Sequence, residues 1–354
     1  MSVEIFDSTS MTKAVNNLDN AQRTARLLKQ FPDGDVHVSE FMEYGYDADN
    51  PKILQVRKIT EGSSPIAQSV GSLKRINFPK YRPSMNWNEA DALVLDPSVA
   101  QYMGTQTDLN SNLAGKVAKA LDKLRRRVQT SHLVNCYHAL SAGAITFKYE
   151  DATTATIDYG YGSAGTAVTS IIQTALATTR LWTATTSTPL ADLEQLAQYI
   201  RATTEYTGEF DVIMGATAFN AFAVHASVTG KLDNRRTDAG SMTFRNGSEF
   251  KGSVDGFDIY QVSFKYLLNT TWTEAWDTDT IAVVPRENLD WFSTEYGAIW
   301  EIPEGATRAS FIPVKYFSKS ELKTDPVSQK IIVESRPIPV IKNPLAVRIW
   351  NVTT

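Results

Sequence analysis

The chain has 354 residues, 42% hydrophobic and 21% charged, which is the composition of a folded protein of one large domain or two ordinary ones. A formal net charge of -4 argues against a general nucleic-acid binder or a membrane-surface protein, and no apolar run is long enough to span a membrane. The single cysteine, Cys136, excludes an intrachain disulfide and a cysteine-based zinc site. Because residues 1–30 also lack an apolar signal segment, we expect a cytoplasmic structural protein.

The first residues contain one predicted helix. Thr12 can cap a stretch whose apolar residues recur at roughly helical spacing up to residue 28. The sequence Phe-Pro-Asp-Gly at 31–34 then predicts a turn, and the polar residues 44–51 predict irregular structure.

Residues 52–82 form a basic arm with few apolar side chains for a core. Residues 53–59 predict a strand, and residues 74–78 its possible partner. Since an isolated hairpin is at best marginally stable in water, we expect the arm to lie on a neighbouring subunit. Its candidate intersubunit contacts are Arg57, Lys58, Lys74, Arg75, Lys80 and Arg82.

The clearest helix is predicted over residues 109–140, with Asp108 or Asn110 as its cap. Its apolar stripe should pack on later strands near residues 311–317 and 331–333; it consists of Leu113, Val117, Leu121, Leu124 and Val128. Its other faces carry basic residues that fit either a solvated surface or non-specific contact with nucleic acid, namely Lys116, Lys119, Lys123, Arg126 and Arg127.

Helices and strands alternate through the rest of the chain, which predicts an α+β architecture. Two helices are predicted at 190–203 and 216–228, and a Thr/Ala-rich helix before Trp182. The predicted strands are residues 144–149, 155–159, 210–214, 257–262, 281–284, 311–317, 331–335 and 346–352. Acidic residues outnumber basic ones between 192 and 304, so this part would complement the basic arm and helix across head-to-tail contacts.

No arrangement of residues predicts catalysis. The four histidines form no HExxH pair or Cys/His cluster, so we expect neither a metal nor another cofactor. The glycines at 160–165 resemble a GxSxG motif only superficially, because no serine occupies the nucleophile position. We expect Trp291, Tyr296 and Trp300 to serve core or interface packing in preference to a ligand cage.

Several short motifs follow one another in a recognisable order. Near the end these are Tyr316-Phe317-Ser318-Lys319, Thr324-Asp325-Pro326, Glu334-Ser335-Arg336-Pro337-Ile338-Pro339-Val340 and Asn343-Pro344-Leu345-Ala346-Val347. Upstream are Val212-Ile213-Met214-Gly215, Gly256-Phe257-Asp258-Ile259-Tyr260, Val284-Pro285 and Tyr296-Gly297. This ordered series, which spans most of the chain, resembles the lambda-type major capsid proteins of tailed phages, the phage capsid protein E family.

The resemblance implies the tailed-phage capsid fold first seen in Hong Kong 97. Its parts would be an N-terminal arm (1–45), an extended loop (46–85), a discontinuous peripheral domain (86–189 and 307–354) with a spine helix at about 109–140, and an axial domain (190–306).

The implied function is a shell subunit, not an enzyme, which assembles into hexamers and pentamers of an icosahedral or prolate head around double-stranded DNA. An encapsulin-like nanocompartment shell of the same fold is the alternative. The implied partners are copies of itself, a portal, a decoration protein and packaged DNA, with no membrane. Because the chain starts at Met1 without a long scaffolding region, we expect a separate scaffolding protein. Localisation would be the virion, after assembly in the host cytoplasm.

Overall fold

The structure is a computed structural model. It describes residues 7–17, 26–39, 41–46, 72–88, 106–148, 153–159, 172–173, 176–233, 249–268, 270–302, 307–324 and 327–354. The helices are α1 (Ser8–Asn17), α2 (Arg26–Gln30), α3 (Gln106–Ala142), α4 (Pro189–Thr204), α5 (Ala216–Val224) and α6 (Ala226–Asp233).

Twenty strands are present in the described residues. They are β1 (Asp33–His37), β2 (Phe41–Tyr46), β3 (Ser72–Asn77), β4 (Ser84–Asn88), β5 (Ala144–Lys148), β6 (Thr154–Asp158), β7 (Ile172–Gln173), β8 (Phe210–Met214), β9 (Phe250–Val254), β10 (Phe257–Gln261), β11 (Lys265–Leu268), β12 (Thr271–Glu274), β13 (Thr280–Pro285), β14 (Phe292–Gly297), β15 (Ile299–Glu301), β16 (Ser310–Ile312), β17 (Phe317–Thr324), β18 (Val327–Glu334), β19 (Pro337–Ile341) and β20 (Arg348–Asn351).

The first helix is capped by Asp7, so the prediction that Thr12 caps it is wrong. The backbone amides of Thr9 and Ser10 donate to the Asp7 carboxylate at 3.2 and 3.1 Å, which satisfies donors that have no partner within the helix. Thr12 instead joins α1 to β17: its hydroxyl donates to the Ser318 carbonyl at 3.2 Å and accepts from the Ser318 amide at 3.0 Å.

The long helix α3 confirms the predicted helix and the packing of its apolar stripe, but it begins at Gln106, so the prediction that Asp108 or Asn110 caps it is wrong. It ends before Gly143, whose φ of 64° is the left-handed conformation that glycine adopts readily after a helix. One face lies in a cluster with α1 and the late strands, formed by Met11, Val15, Val117, Ala120, Leu121, Leu124, Val128, Tyr316, Ile331 and Val333. The side chain of Leu113 lies outside the described residues.

A six-stranded sheet in the order β7-β20-β13-β8-β10-β9 separates the two larger hydrophobic clusters. Along β8, Val212 and Met214 belong to the cluster on the α4 side, whereas Ile213 belongs to the other cluster. The same alternation in β13 places Ile281 and Val283 opposite Ala282 and Val284, because successive side chains of a strand point to opposite faces. The sheet is therefore buried on both faces.

The C-terminal part of the chain, residues 307–354, contributes strands to four sheets. Strand β18 pairs with β17 on one side and with β4 on the other, and it packs against α3. The final strand β20 instead pairs antiparallel with β13 in the six-stranded sheet. Thus residues 307–354, which the sequence assigned to one part, also complete the sheet of the part predicted over 190–306.

Several local predictions differ from the structure. The strand predicted over 311–317 is interrupted, because β16 ends at Ile312 and β17 begins at Phe317. Strand β3 pairs with β2, which includes residues 44–46 that were expected to be irregular; residues 53–59, the predicted partner, lie outside the described residues. The helix predicted over 216–228 is interrupted at His225, where the imidazole Nδ1 accepts from the Ser227 amide at 3.2 Å and so satisfies the start of α6. Within the predicted Thr/Ala-rich helix, residues 172–173 form β7.

Candidate assembly surfaces

The six predicted intersubunit contacts fall into three groups. Arg57 and Lys58 lie outside the described residues. Lys74 lies on β3, and Arg75 on the same strand is exposed, with its guanidinium carbon 3.5 Å from the centre of the Phe41 ring. This stacking holds the Arg75 side chain along the β2–β3 ladder while its charge remains in solvent.

The remaining two, Lys80 and Arg82, bind carboxylates of their own chain. Both approach Glu334, with the Lys80 Nζ and one Arg82 nitrogen each 3.4 Å from its Oε2. Glu334 is 1% exposed, and Arg336 contacts its other oxygen at 3.3 Å. A buried carboxylate requires such compensation, because transfer of an unpaired charge from water is costly.

The second terminal nitrogen of the Arg82 guanidinium extends this network of ion pairs to the surface. It lies 3.2 Å from Glu301 on β15 and 3.9 Å from Glu321 on β17, and Lys319 bridges the same two carboxylates at 3.1 and 2.9 Å. Burial alone would raise the pKa of the Glu301 carboxyl, but the hydrogen bond and charge of Lys319, with the charge of Arg82, hold that pKa below its usual value. The network therefore joins the segment leading from β3 to β4 with three later strands.

The basic residues of α3 form one strip. Lys116, Lys119, Lys123, Arg126 and Arg127 occupy roughly one third of the helix circumference, since each residue advances about 100°. Lys116 is half-buried and the other four are exposed. Arg126 pairs with Asp122 at 2.8 Å. The strip lies away from the buried stripe of α3 and is the positive surface expected from the sequence.

An apolar surface that the sequence analysis missed lies on the β11–β12 hairpin. Leu267, Leu268 and Trp272 are exposed there, by 54%, 42% and 68%. A second exposed apolar group, Trp300 and Ile302, flanks Glu301 on β15. The sequence analysis predicted no strand in these segments, so it gave no indication of which of their side chains would be exposed.

Polar clusters elsewhere stabilise the subunit. Arg286 pairs with Asp211 at 3.0 Å, with Asp258 at 2.9 Å, and with Glu209, and so joins β8, β10 and the end of β13. Asp192 at the start of α4 accepts from the Trp182 indole at 3.1 Å and pairs with Arg180.

The surroundings of Cys136 and of His225 differ from those of a catalytic nucleophile and of a catalytic triad. Burial raises the pKa of the Cys136 thiol, the opposite of what a nucleophile requires. Ser187 lies 3.0 Å from His225 Nε2, but Nδ1 of that ring faces Ser227, where a catalytic triad has a carboxylate. In the part of the chain that the structure describes, no three side chains of metal-ligating type form a group, and no helix is long and apolar enough to cross a membrane.

Comparison with known proteins gives a consistent result. A family model described as phage major capsid protein E matches residues 7–352. The crystal structure of a protein described as a prophage capsid protein of Escherichia coli CFT073 matches with a TM-score of 0.64 and 16% identity, covering 98% of this chain and 99% of that one. A phage-related protein of Bordetella bronchiseptica RB50 matches with a TM-score of 0.55 and 13% identity, covering 98% and 97%. No curated protein sequence matches the chain.

Proposed function

This chain belongs to the phage major capsid protein E family, and we propose that it assembles into the hexamers and pentamers of an icosahedral or prolate head that encloses double-stranded phage DNA. Its α+β fold is the Hong Kong 97-type fold of phage capsid proteins. The family is one of structural shell proteins, and the match over residues 7–352 is the observation that carries the proposal.

The parts of the subunit follow from the same premise. We propose residues 1–45 as the N-terminal arm, 46–85 as the extended loop, 86–189 with 307–354 as the peripheral domain, and 190–306 as the axial domain. The strand β20, which pairs with β13, would then pass from the peripheral to the axial part. The long helix α3, packed on β18 and β19, would be the spine.

The extended loop would lie over a neighbouring subunit, with Arg57, Lys58, Lys74 and Arg75 facing acidic residues there. Arg75 supports this role because its charge is exposed. Lys80 and Arg82 would have a different role, since both already pair with Glu334: they would fix the base of the loop, so that its direction is set before subunits meet. Such pre-ordering lowers the entropy lost on association.

The shell would act by repeated association and without catalysis or a cofactor. Each contact needs only modest affinity, because a subunit held by several neighbours gains from multivalency. Its partners would be copies of itself, a separate scaffolding protein, a portal, a decoration protein and, through the basic strip of α3, packaged DNA. We propose assembly in the host cytoplasm and residence in the virion.

Electron microscopy of the purified chain, alone and with its scaffolding protein, tests the proposal. Closed shells or tubes with hexameric lattices are expected. A small monomer that persists at high concentration in both preparations would overturn it. The contents of particles from cells separate the head from an encapsulin-like compartment: nuclease-protected DNA supports the head, and a stoichiometric cargo protein supports the compartment.

A further inference from the structure

We propose that the β11–β12 hairpin, Lys265–Glu274, is an apolar docking element whose tip packs against a second copy of this chain. The proposal rests on the proposed function and deepens it, since it names a surface through which subunits of the shell associate. The hairpin was not among the contacts predicted from the sequence.

The base of the hairpin is held firmly by the end of the long helix. Phe264 stacks on Tyr137 with ring centres 6.1 Å apart, and Tyr266 meets His138 edge-on at 6.3 Å. The Ala275 amide donates to the Phe264 carbonyl at 3.0 Å, which closes the ladder at its base. A two-stranded hairpin is marginal by itself, but here the aromatic contacts with α3 fix the direction in which it projects.

The tip of the hairpin, by contrast, exposes large apolar side chains. In a stable hairpin such side chains are usually buried against another part of the protein. Leu267 and Trp272 stand opposite each other in the ladder, so they share one face. They are 54% and 68% exposed. Leu268, the next residue of β11, is 42% exposed on the opposite face of the hairpin. A tryptophan paired with a leucine on one face of a firmly held hairpin has the composition of an interface hot spot. Little conformational freedom is lost when such a face docks.

The charges of the hairpin indicate which partner covers this face. Its only charged residues, Lys265 and Glu274, pair with each other at 2.6 Å, and residues 266–273 carry no charged side chain. A nucleic acid would require cations at the tip, so DNA does not fit this surface. When copies of the chain are related by a rotation axis, however, their neutral apolar tips can approach one another without like-charge repulsion. A second copy of the same chain therefore fits the hairpin best.

Two kinds of variant test this role. The double substitution Leu267→Ser with Trp272→Ser should leave a folded subunit but raise the concentration needed for assembly about 30-fold, the effect of losing one strong interface residue. Thr271→Ser on the same hairpin is the matched control and should assemble normally. Circular dichroism of the dissociated subunit checks the fold of each variant.

Thiol labelling gives a second measurement that does not depend on how the double variant folds. Cys136 is buried, so Leu267→Cys adds, on the proposed docking face, the one thiol expected to react in the native subunit. Maleimide should label it rapidly in dissociated subunits and slowly in shells of this chain alone. Equal labelling in both states, or normal assembly of the double variant, would overturn the inference. The proposed function would still be supported if the wild-type chain forms shells. Protection only after a decoration protein is added would also overturn it.

Discussion

The guanidinium of Arg82 lies 3.4 Å from the carboxylate of Glu334, a side chain that is 1% exposed. From the sequence alone, Arg82 is one of several surface cations at the end of a basic arm. In the folded subunit it joins the segment between β3 and β4 to β18, and its second nitrogen lies 3.2 Å from Glu301. Arg82 therefore stabilises the subunit itself, independently of contacts with neighbouring subunits.

We predict that Arg82→Ala lowers the free energy of unfolding by about 2 kcal/mol, since it removes one partner of a buried carboxylate while Lys80 and Arg336 remain. Urea unfolding of the dissociated subunit measures the change. Arg127→Ala on the exposed strip of α3 is the control and should cost less than about 0.5 kcal/mol. Equal stability of the two variants would contradict the structural role of Arg82.

Charge reversal within the extended loop should have the opposite effect to Arg82→Ala: it should impair assembly without lowering the stability of the subunit. We expect glutamate at Arg57, Lys58, Lys74 and Arg75 together to impair assembly and to leave the subunit folded, because the exposed Arg75 charge is available to a neighbour. Shell yield by electron microscopy and the melting temperature of the subunit are the two measurements. Wild-type yield would show that these charges do not take part in assembly.

The sequence predicted best what depends on local periodicity. The stripe from Val117 to Val128 predicted both the helix and its packing on residues 331–333, because only one face of a regular helix needs cover. The pairing of β3 with β2 was missed, since register between strands depends on tertiary contacts that a sequence pattern does not contain. The ion-pair network of Glu301, Glu321 and Glu334 was not predicted for the same reason, because its members are close in space and distant along the chain.

The packing of α3 gives a direct stability prediction. Leu121 is 1% exposed in the cluster that joins α1, α3 and β18, so Leu121→Ala should lower the free energy of unfolding by about 2–5 kcal/mol through lost burial and a residual cavity. Lys123→Ala, two residues further along the same helix and exposed, is the matched control. A loss below about 1 kcal/mol for Leu121→Ala would mean that the cluster closes around the missing side chain.

Tyr81 should make the subunit sensitive to alkali. Burial raises the pKa of its hydroxyl to about 12, and Asn135 donates a hydrogen bond to it. Since the unfolded chain loses this proton near pH 10, the favourable contribution is complete below pH 10 and is lost as pH rises towards 12. The stability difference between wild type and Tyr81→Phe should therefore shrink by about 2 kcal/mol across that range. A difference independent of pH would contradict the assignment.

The basic strip of α3 is predicted to contact DNA without reading its sequence. If Lys119, Lys123 and Arg127 each neutralise a phosphate, their replacement by glutamine should weaken binding of the assembled shell to duplex DNA and reduce the slope of log K against log salt by about 0.9 per contact. Arg201→Gln is the control, because Arg201 is also exposed but pairs with Glu194 at 3.2 Å on α4. The measurement is binding of open shells to short duplexes between low and moderate salt. A net charge of -4 does not oppose this contact, since screening confines each charge to about 10 Å at 0.1 M salt, so the local strip decides. An unchanged slope in the triple variant would mean that the strip is a solvated face of the spine helix.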